Sequence, residues 1–198
     1  METVTEQALT LLTPEQYLEA ERKGLRDTDG KYEYHNGKKI FMGGASKEHN
    51  KISTNISGYL WYQLQDLLYE IYHSDMRTYV PSRQSYYYPD IVVVQGEPQF
   101  KDNEFDNLLN PYLLVEIVSP SSSSYDRGDK FANYRGIASL QEYLVVSAQS
   151  QLVEFFQKVK ENEWVLHEYR QSEDKFPLLS GQLTLSLSQI YRGLNLKD

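Results

Sequence analysis

The spacing of apolar residues predicts two helices near the beginning of the chain. Between residues 46 and 69, apolar side chains recur at steps of three and four, the period of an amphipathic helix. A shorter helix is predicted to begin after Thr13, where Pro14 fits the first turn and Gln16 can complete a capping box. Its pattern ends near Gly24. The long helix is expected to line a sheet.

A β-hairpin is predicted between these helices. Residues 32–35 and 38–42 carry aromatic and apolar side chains, and they flank Asn36 and Gly37. Asn-Gly is the pair that best fits a two-residue type I′ turn, because both residues tolerate positive φ angles. The first helix and this hairpin are therefore expected to form an N-terminal extension.

The rest of the chain is predicted to be mainly β-structure. Strands are predicted at residues 70–80, 86–94, 111–118, 142–147, 151–160 and 163–170, with a polar loop at 95–110 and a helix over 124–136, capped by Ser121 to Ser124. The strands around residues 90 and 113 are almost wholly apolar, which indicates that both of their faces are covered. The order predicts an α/β (α+β) fold in which a mixed central sheet is flanked by helices.

Composition narrows the class of protein. With 198 residues and 40% hydrophobic content, residues 13–198 are expected to form a single domain, preceded by a flexible tail of residues 1–12. No membrane-spanning run or signal peptide is visible, so a cytoplasmic protein without membrane contact is expected. The absence of cysteine excludes disulfides and thiolate chemistry, and a net charge of −8 argues against broad adhesion to nucleic acid.

Two acids interrupt the apolar strands. Glu116 lies inside the run 113–118, and Asp90 opens the run that follows Pro89. A buried carboxylate needs a cation or a hydrogen-bond network to offset its lost hydration. If the two strands are neighbours, both acids can face one cleft and share Mg²⁺ or Mn²⁺, with the peptide carbonyl of Ile117 as a further ligand. The pattern therefore indicates a hydrolytic metal site.

Several short motifs occur together along the chain. They are Tyr32-Glu33 to Gly37, Glu48-His49, Pro89-Asp90, the run from Val115 to Ser121, Asp126, Lys130, Tyr134 and Glu142-Tyr143. Over residues 13 to about 158 the chain resembles the Uma-two family of restriction endonucleases, within the PD-(D/E)XK nuclease superfamily. The resemblance implies a restriction-endonuclease-like core with the N-terminal helix and hairpin as an extension, a Mg²⁺ or Mn²⁺ cofactor, and DNA as substrate.

The resemblance also implies catalytic residues. Superfamily members usually carry a lysine two residues after the central glutamate, where this chain has Val118, and the following helix supplies Lys130 instead. A lysine beside the metal can orient the attacking water or, if its pKa is depressed, accept the proton. Glu33 is a candidate to approach the metal, and His49 a candidate to contact a phosphate or the water.

The strand acids also have structural interpretations. Asp90 can cap the turn that starts its strand. Glu116 can pair across the sheet with a cation such as Arg77 or Lys130. A pair of that kind would still leave a polar cleft.

The other candidates have structural interpretations too. Lys130 can form an ordinary helical ion pair with Asp126, four residues earlier. Tyr134 shares that helical stripe and can either position the lysine or pack in the core. Glu33 can be a solvent-facing acid of the hairpin, and His49 a surface or capping residue.

Two further features bear on a nucleic-acid partner. A locally basic patch is predicted from Lys38, Lys39, Lys47 and Lys51, although solvated lysines are the default interpretation. The three tyrosines at 86–88 can stack on bases or pack in a strand or dimer interface.

The residues lead to three hypotheses. The first is a metal-dependent endonuclease that hydrolyses DNA, acting as a homodimer so that two sites meet two strands. The second is a catalytically inactive module that kept the nuclease fold and serves DNA binding or protein interaction. The third is a metallohydrolase for a small phosphorylated substrate.

Overall fold

The structure is a computed structural model that describes residues 11–23, 31–119 and 125–196. Its helices are α1 (Pro14–Arg22), α2 (Lys47–Leu64), α3 (Phe131–Tyr134), which continues a π-helical turn at Asp126–Lys130, and α4 (Leu187–Ile190). Its strands are β1 (Tyr32–His35), β2 (Lys38–Phe41), β3 (Tyr69–His73), β4 (Arg77–Val80), β5 (Ser85–Tyr87), β6 (Ile91–Gln95), β7 (Asn107–Leu108), β8 (Leu113–Val118), β9 (Glu142–Ser147), β10 (Val153–Lys160), β11 (Glu163–Tyr169), β12 (Lys175–Leu178) and β13 (Leu183–Ser186).

Most of the predicted N-terminal tail, the predicted helix end at Gly24 and the predicted caps Ser121 to Ser124 lie outside the described residues. None of the described helices is long and apolar enough to cross a membrane. That residues 13–198 form one domain stays a prediction.

Within the described residues the strands form three sheets. A five-stranded sheet has the order β2-β1-β5-β4-β7, a six-stranded sheet the order β11-β10-β9-β8-β6-β3, and β12 pairs with β13. In the six-stranded sheet β8 runs parallel to β9 and antiparallel to β6. The prediction of a mixed sheet flanked by helices is therefore confirmed.

The six-stranded sheet is covered on both faces, as the apolar runs predict. One face packs Val93, Val115 and Leu144 against α2, α4 and the β12–β13 hairpin. The other face packs Leu114 and Val118 against the segment that contains α3. Because side chains alternate along a strand, Glu116 lies on this second face, between Leu114 and Val118.

Two local predictions are confirmed in detail. The capping box at the start of α1 is formed, because Thr13 and Gln16 accept from each other's backbone amides. The β1–β2 turn has φ angles of 49° at Asn36 and 80° at Gly37, as a type I′ turn requires. Both motifs act within a few residues of the chain, so their conformations do not depend on contacts with distant segments.

The long helix is shorter than predicted. α2 has Ser46 as its N-cap but ends at Leu64, and β3 already begins at Tyr69. Leu67 and Leu68, which continue the helical pattern in the sequence, are 46% and 84% exposed. The pairing of β3 with β6 overrides the local helical period here.

Two predicted strands are in fact four shorter ones. The segment 70–80 divides into β3 and β4, the segment 86–94 into β5 and β6, and in each case the two parts belong to different sheets. The second division falls at Pro89, which has no amide hydrogen to donate to a ladder. An apolar pattern does not show where a chain leaves one sheet for another.

Other differences concern short elements. The predicted loop 95–110 contains β7, which pairs with β4, and no element was predicted for β12, β13 or α4. Elements of two to four residues are too short for a period to be recognised. The predicted helix 124–136 exists, but its first described turn is π-helical.

Candidate active site

The predicted site residues line one cleft of about 800 Å³. Its walls are the β1–β2 hairpin, the first turns of α2, the adjoining ends of β6 and β8, and the π-helical turn. Glu33, His49, Asp90, Glu116 and Lys130 all line it. The structure thus brings together side chains from five separate segments.

Asp90 and Glu116 come from adjacent positions in the sheet. Ile91 is opposite Val115 in the antiparallel β6–β8 pair, so the same register continued past the end of the ladder brings Asp90 opposite Glu116. Directly opposed side chains share a face of the sheet, with Cβ atoms about 4.5–5.5 Å apart. Both carboxylates line the cleft, so the predicted convergence of the two acids is present.

Asp90 is held by two groups outside its own strand. Its Oδ2 accepts a hydrogen bond from the Ile117 amide at 2.7 Å, and its Oδ1 lies 3.0 Å from Nε2 of His49. Neither partner belongs to the turn that precedes β6, so this is not the local cap that was the structural alternative. The Ile117 amide is available because the β6–β8 ladder ends at Ile91 and Val115.

Lys130 is buried among three carboxylates. Its Nζ lies 2.9 Å from Glu116 Oε1, 2.9 Å from Glu33 Oε1 and 3.3 Å from Asp126 Oδ1. Tyr134 OH also donates to Glu116 Oε1, at 3.0 Å. The structural pairs of Lys130 with Glu116 and with Asp126 are therefore both present.

The alternative pairing of Glu116 with Arg77 is wrong. Arg77 instead bonds to Asn107 at 2.9 Å and to Asp106 in the five-stranded sheet. The lysine on the following helix, and not the arginine, is the cation that reaches the central glutamate.

Burial and charge set the protonation of this cluster. Loss of hydration raises the pKa of the Glu116 carboxyl well above its usual range, although Lys130 opposes the shift. Burial by itself lowers the pKa of Lys130, but Glu116, Glu33 and Asp126 together outweigh it and raise that pKa well above its usual range. The direction of this shift is opposite to the depressed lysine pKa considered from the sequence.

Glu33 is a buried residue of the hairpin. It is 3% exposed, so the interpretation as a solvent-facing acid is wrong. Its Oε1 accepts from the Tyr88 amide at 3.0 Å besides contacting Lys130, and burial raises its pKa. Glu33 is opposite Ile40 in the β1–β2 pair, which turns both side chains toward the cleft.

His49 lies in the first turn of α2. The Ser46 side chain caps this turn by accepting from the His49 amide at 3.1 Å. The ring bonds to Asp90 through Nε2, whereas Nδ1 is buried and has no hydrogen-bond partner among the residues that the structure describes. His49 therefore contacts a candidate metal ligand, which is a more specific position than that of a surface histidine.

The tyrosines that precede Asp90 are not available to bases. Tyr86, Tyr87 and Tyr88 are 0%, 0% and 2% exposed, so the stacking hypothesis is wrong and packing within the strands is the correct alternative. Tyr87 OH accepts from Asn133 at 2.9 Å, and the ring lies 5.9 Å from Lys130 Nζ. Asn133 was missed from the sequence, because only its position one helical turn beyond Lys130 links it to the site.

The four lysines of the predicted basic patch are all exposed. Lys39 Nζ lies 4.4 Å from the centre of the Tyr32 ring, on the hairpin face that carries Phe41. Exposure leaves both interpretations of the patch open, the solvated surface and the contact with a polyanion.

The oxygen donors suit a hard divalent cation. Glu116 and Asp90 share a face, and the Ile117 carbonyl points to the same edge of β8 as the amide that bonds to Asp90. No group of three His, Asp or Glu side chains in the described segments forms a ready metal cage. Mg²⁺ does not need one, since it typically uses one or two carboxylates and completes its shell with water and substrate phosphates. The donor set fits such an ion.

Comparison with known proteins assigns this chain to a family. The model of the Uma2 family, described as "Putative restriction endonuclease", matches residues 14–190. The chain belongs to the Uma2 family. The resemblance drawn from the sequence motifs is thereby confirmed.

Relatives and a solved structure agree with this assignment. Two Synechocystis proteins, "Uncharacterized protein sll1609" and "Uncharacterized protein slr1290", are 39% and 36% identical to this Uma2 chain over 80% and 92% of its length, covering 87% and 93% of their own. A crystal structure described as "a putative nuclease belonging to DUF820", from Anabaena variabilis, superposes with a TM-score of 0.72 at 16% identity, over 90% of this chain and 97% of that one. The predicted restriction-endonuclease-like fold is confirmed.

Proposed function

We propose that this Uma2 protein is a metal-dependent endonuclease that hydrolyses DNA phosphodiester bonds. The observation that carries the proposal is the position of Asp90, directly before β6, and Glu116, on the neighbouring strand β8, which line one cleft with the buried Lys130. The family and the fold support the same conclusion.

Asp90, Glu116 and the Ile117 carbonyl would hold Mg²⁺ or Mn²⁺. When bound, the ion supplies Lewis acidity and positive charge for an attacking water and a developing phosphorane-like charge. Lys130, whose Nζ is held among Glu116, Glu33 and Asp126, acts as a fixed cation that orients a phosphate oxygen or the water. His49 keeps the Asp90 carboxylate turned into the cleft, through the contact at 3.0 Å.

Cleavage of supercoiled plasmid tests the proposal. The wild-type protein is expected to nick or linearise DNA with Mg²⁺ or Mn²⁺, and Asp90→Ala and Glu116→Ala are each expected to lose about 100-fold or more, the usual cost of removing a group that stabilises transition-state charge. Asp66→Ala is a matched control, because Asp66 is an exposed acid that does not line the cleft. Undiminished cleavage by both site variants would show that the activity belongs to a contaminant.

A homodimer is part of the proposal, because one cleft reaches one strand and a double-strand break needs two. Sedimentation of the protein with and without a DNA duplex measures the stoichiometry. A strictly monomeric protein that only nicks DNA would contradict the dimer and leave the hydrolytic site standing.

A catalytically inactive module is the second candidate. It is favoured by the internal pairing of the site, since Glu116 is bonded to Lys130 and Tyr134 while Asp90 is bonded to His49 and Ile117. Calorimetry with Mn²⁺ separates the two candidates. A folded protein that binds no divalent ion, but binds DNA or another protein, would support the module.

A further inference from the structure

Glu33 occupies a position that the endonuclease proposal does not explain. It is a nearly fully buried acid, yet its described hydrogen bonds go to the Tyr88 amide and to Lys130, not to the strand edge where Asp90 and Ile117 lie. A carboxylate that binds metal needs to point at the metal. Glu116 also contacts Lys130, but it lies on β8 beside Ile117, whereas Glu33 faces the lysine from the separate β1–β2 hairpin.

The three partners of Lys130 are not equivalent. In the proposed function Glu116 is a ligand of the metal. Its contact with Lys130 therefore weakens when the Glu116 carboxylate turns to the ion. Asp126 lies 3.3 Å away, on the same π-helical turn as the lysine, and therefore moves with it. Glu33, at 2.9 Å, is the partner from another element, and it alone of the remaining two can fix Lys130 relative to the strands.

The anchor of Glu33 lies close to the metal ligands in the chain. Tyr88, whose amide holds Glu33 Oε1 at 3.0 Å, precedes Asp90 by one proline. The same short connection between β5 and β6 therefore sets both the position of the Asp90 carboxylate and the position of the acid that faces Lys130.

Charge makes such an acid necessary. A divalent ion beside Glu116 repels the Lys130 ammonium, and this repulsion is stronger in a partly dehydrated cleft than in water. Without a second fixed carboxylate the lysine side chain would swing out of the cleft. We propose that Glu33 is a positioning residue, which retains Lys130 in the cleft when Glu116 engages a divalent cation. This inference rests on the proposed function.

The test compares Glu33→Gln with Glu21→Gln. The first variant keeps an oxygen acceptor for the Tyr88 amide and removes the charge that faces Lys130. Glu21 is the matched control, because it is also buried and bonds to Tyr88, through the hydroxyl at 3.2 Å, without contact to Lys130. Thermal unfolding of both variants verifies that they fold.

Two measurements on the folded variants do not depend on cleavage. Calorimetry with Mn²⁺ is expected to give the same affinity for Glu33→Gln as for wild type, because Glu33 is not a ligand. In protein labelled with ¹⁵N-lysine, the Lys130 ammonium signal, assigned with Lys130→Arg, is expected to persist with Mg²⁺ in wild type and Glu21→Gln. In Glu33→Gln it is expected to disappear when Mg²⁺ is added.

Plasmid cleavage adds the functional readout. Glu33→Gln is expected to lose roughly 10- to 100-fold in rate at saturating metal, the range usual for groups that orient a reactive residue, and Glu33→Asp is expected to recover part of it. If Glu33→Gln does not fold, Glu33→Asp carries the test, with lowered cleavage and unchanged Mn²⁺ affinity as the expected result.

Each contrary outcome has its own meaning. A Mn²⁺ affinity that falls 10-fold or more in Glu33→Gln would make Glu33 a ligand, and a Lys130 signal that persists in this variant with Mg²⁺ would make it dispensable; either result overturns the inference alone. A wild-type protein that binds no Mn²⁺ overturns the proposed function, and the inference with it.

Discussion

Two buried glutamates on neighbouring strands have opposite kinds of partner. Glu116 on β8 and Glu142 on β9 are 4% and 1% exposed. Glu142 accepts two backbone hydrogen bonds, from Leu179 at 2.8 Å and Ser180 at 2.9 Å. Glu116 accepts from Lys130 and Tyr134 and lines a cleft. Only the partners, not the burial, distinguish a structural acid from a candidate catalytic one.

The two acids also lie on opposite faces of the six-stranded sheet. Glu142 shares a face with Leu144, at the beginning of β9, whereas Glu116 shares a face with Leu114, near the end of β8. Glu142 fastens the turn after β12, in which Leu179 and Ser180 have φ angles of 52° and 55°. Non-glycine residues rarely adopt such angles, so the turn depends on the carboxylate that binds it.

The largest loss of stability is expected when Lys130, the cation that contacts Glu116, is replaced. Lys130→Met leaves Glu33, Glu116 and Asp126 without their shared cation, and should lower the free energy of unfolding by about 3–5 kcal/mol, as the loss of one partner of a buried ion pair does. Urea denaturation measures it. Addition of Glu116→Gln to Lys130→Met should recover part of the loss, and strict additivity would show that the two groups do not interact.

Substitution of Glu142 is expected to lower the stability of the protein without changing its rate of DNA cleavage. Glu142→Ala leaves the Leu179 and Ser180 amides without their acceptor. An unsatisfied buried group costs about 1–3 kcal/mol and the Ser180 amide is only partly buried, so the variant should lose roughly 2–4 kcal/mol. The cleavage rate per folded molecule should equal that of wild type. A folded Glu142→Ala protein with impaired cleavage would mean that the two acids are not separate in function.

A smaller loss is expected from Tyr134→Phe. The substitution removes the hydroxyl that donates to Glu116 at 3.0 Å and keeps the ring that packs against Tyr87. A hydrogen bond to a charged group contributes about 1.5–3 kcal/mol, so the midpoint of urea denaturation should fall accordingly. Tyr191→Phe is the control, since its hydroxyl bonds to backbone groups at 2.8–3.2 Å away from the cleft, and it should leave Mn²⁺ affinity unchanged.

The smallest expected effect is a pH dependence of folding stability that is caused by the Glu142 carboxyl. Burial raises the pKa of its carboxyl from the ordinary value of 4.5, although its two backbone hydrogen bonds oppose the shift. The folded state therefore holds the proton more tightly, so the stability contributed by this group is complete below pH 4.5 and is lost as pH rises toward the folded pKa. Denaturation of wild type and Glu142→Gln across this window measures the difference. A stability difference that does not change with pH would mean that the pKa of Glu142 is not raised.

Local chemistry made part of this structure predictable. Thr13 with Gln16, and Asn36 with Gly37, act within a few residues, so a helix start and a hairpin could be placed from the sequence. An acid inside an apolar run is similarly a local signal, and it led to Asp90 and Glu116. Their shared cleft followed from the assumption that the two strands are neighbours.

What could not be predicted depends on contacts between distant segments. The burial of Glu33 depends on contacts of the hairpin face that it shares with Ile40, and the stronger apolar pattern, with Tyr32, Tyr34 and Phe41, lies on the other face. The role of Glu142 depends on a turn almost forty residues away in the chain, which has no signature of its own. The separation of β5 from β6 into different sheets is decided by their partners, not by their composition.

The π-helical turn at Asp126–Lys130 has a consequence for how such proteins can diverge. Turns of this kind are wider than an α-helical turn, and they are frequent at functional sites. Loss of one residue there would rotate the preceding segment by about 100° relative to Lys130. A small change in chain length can thus alter which side chains face the cleft while every acid and the lysine remain in the sequence.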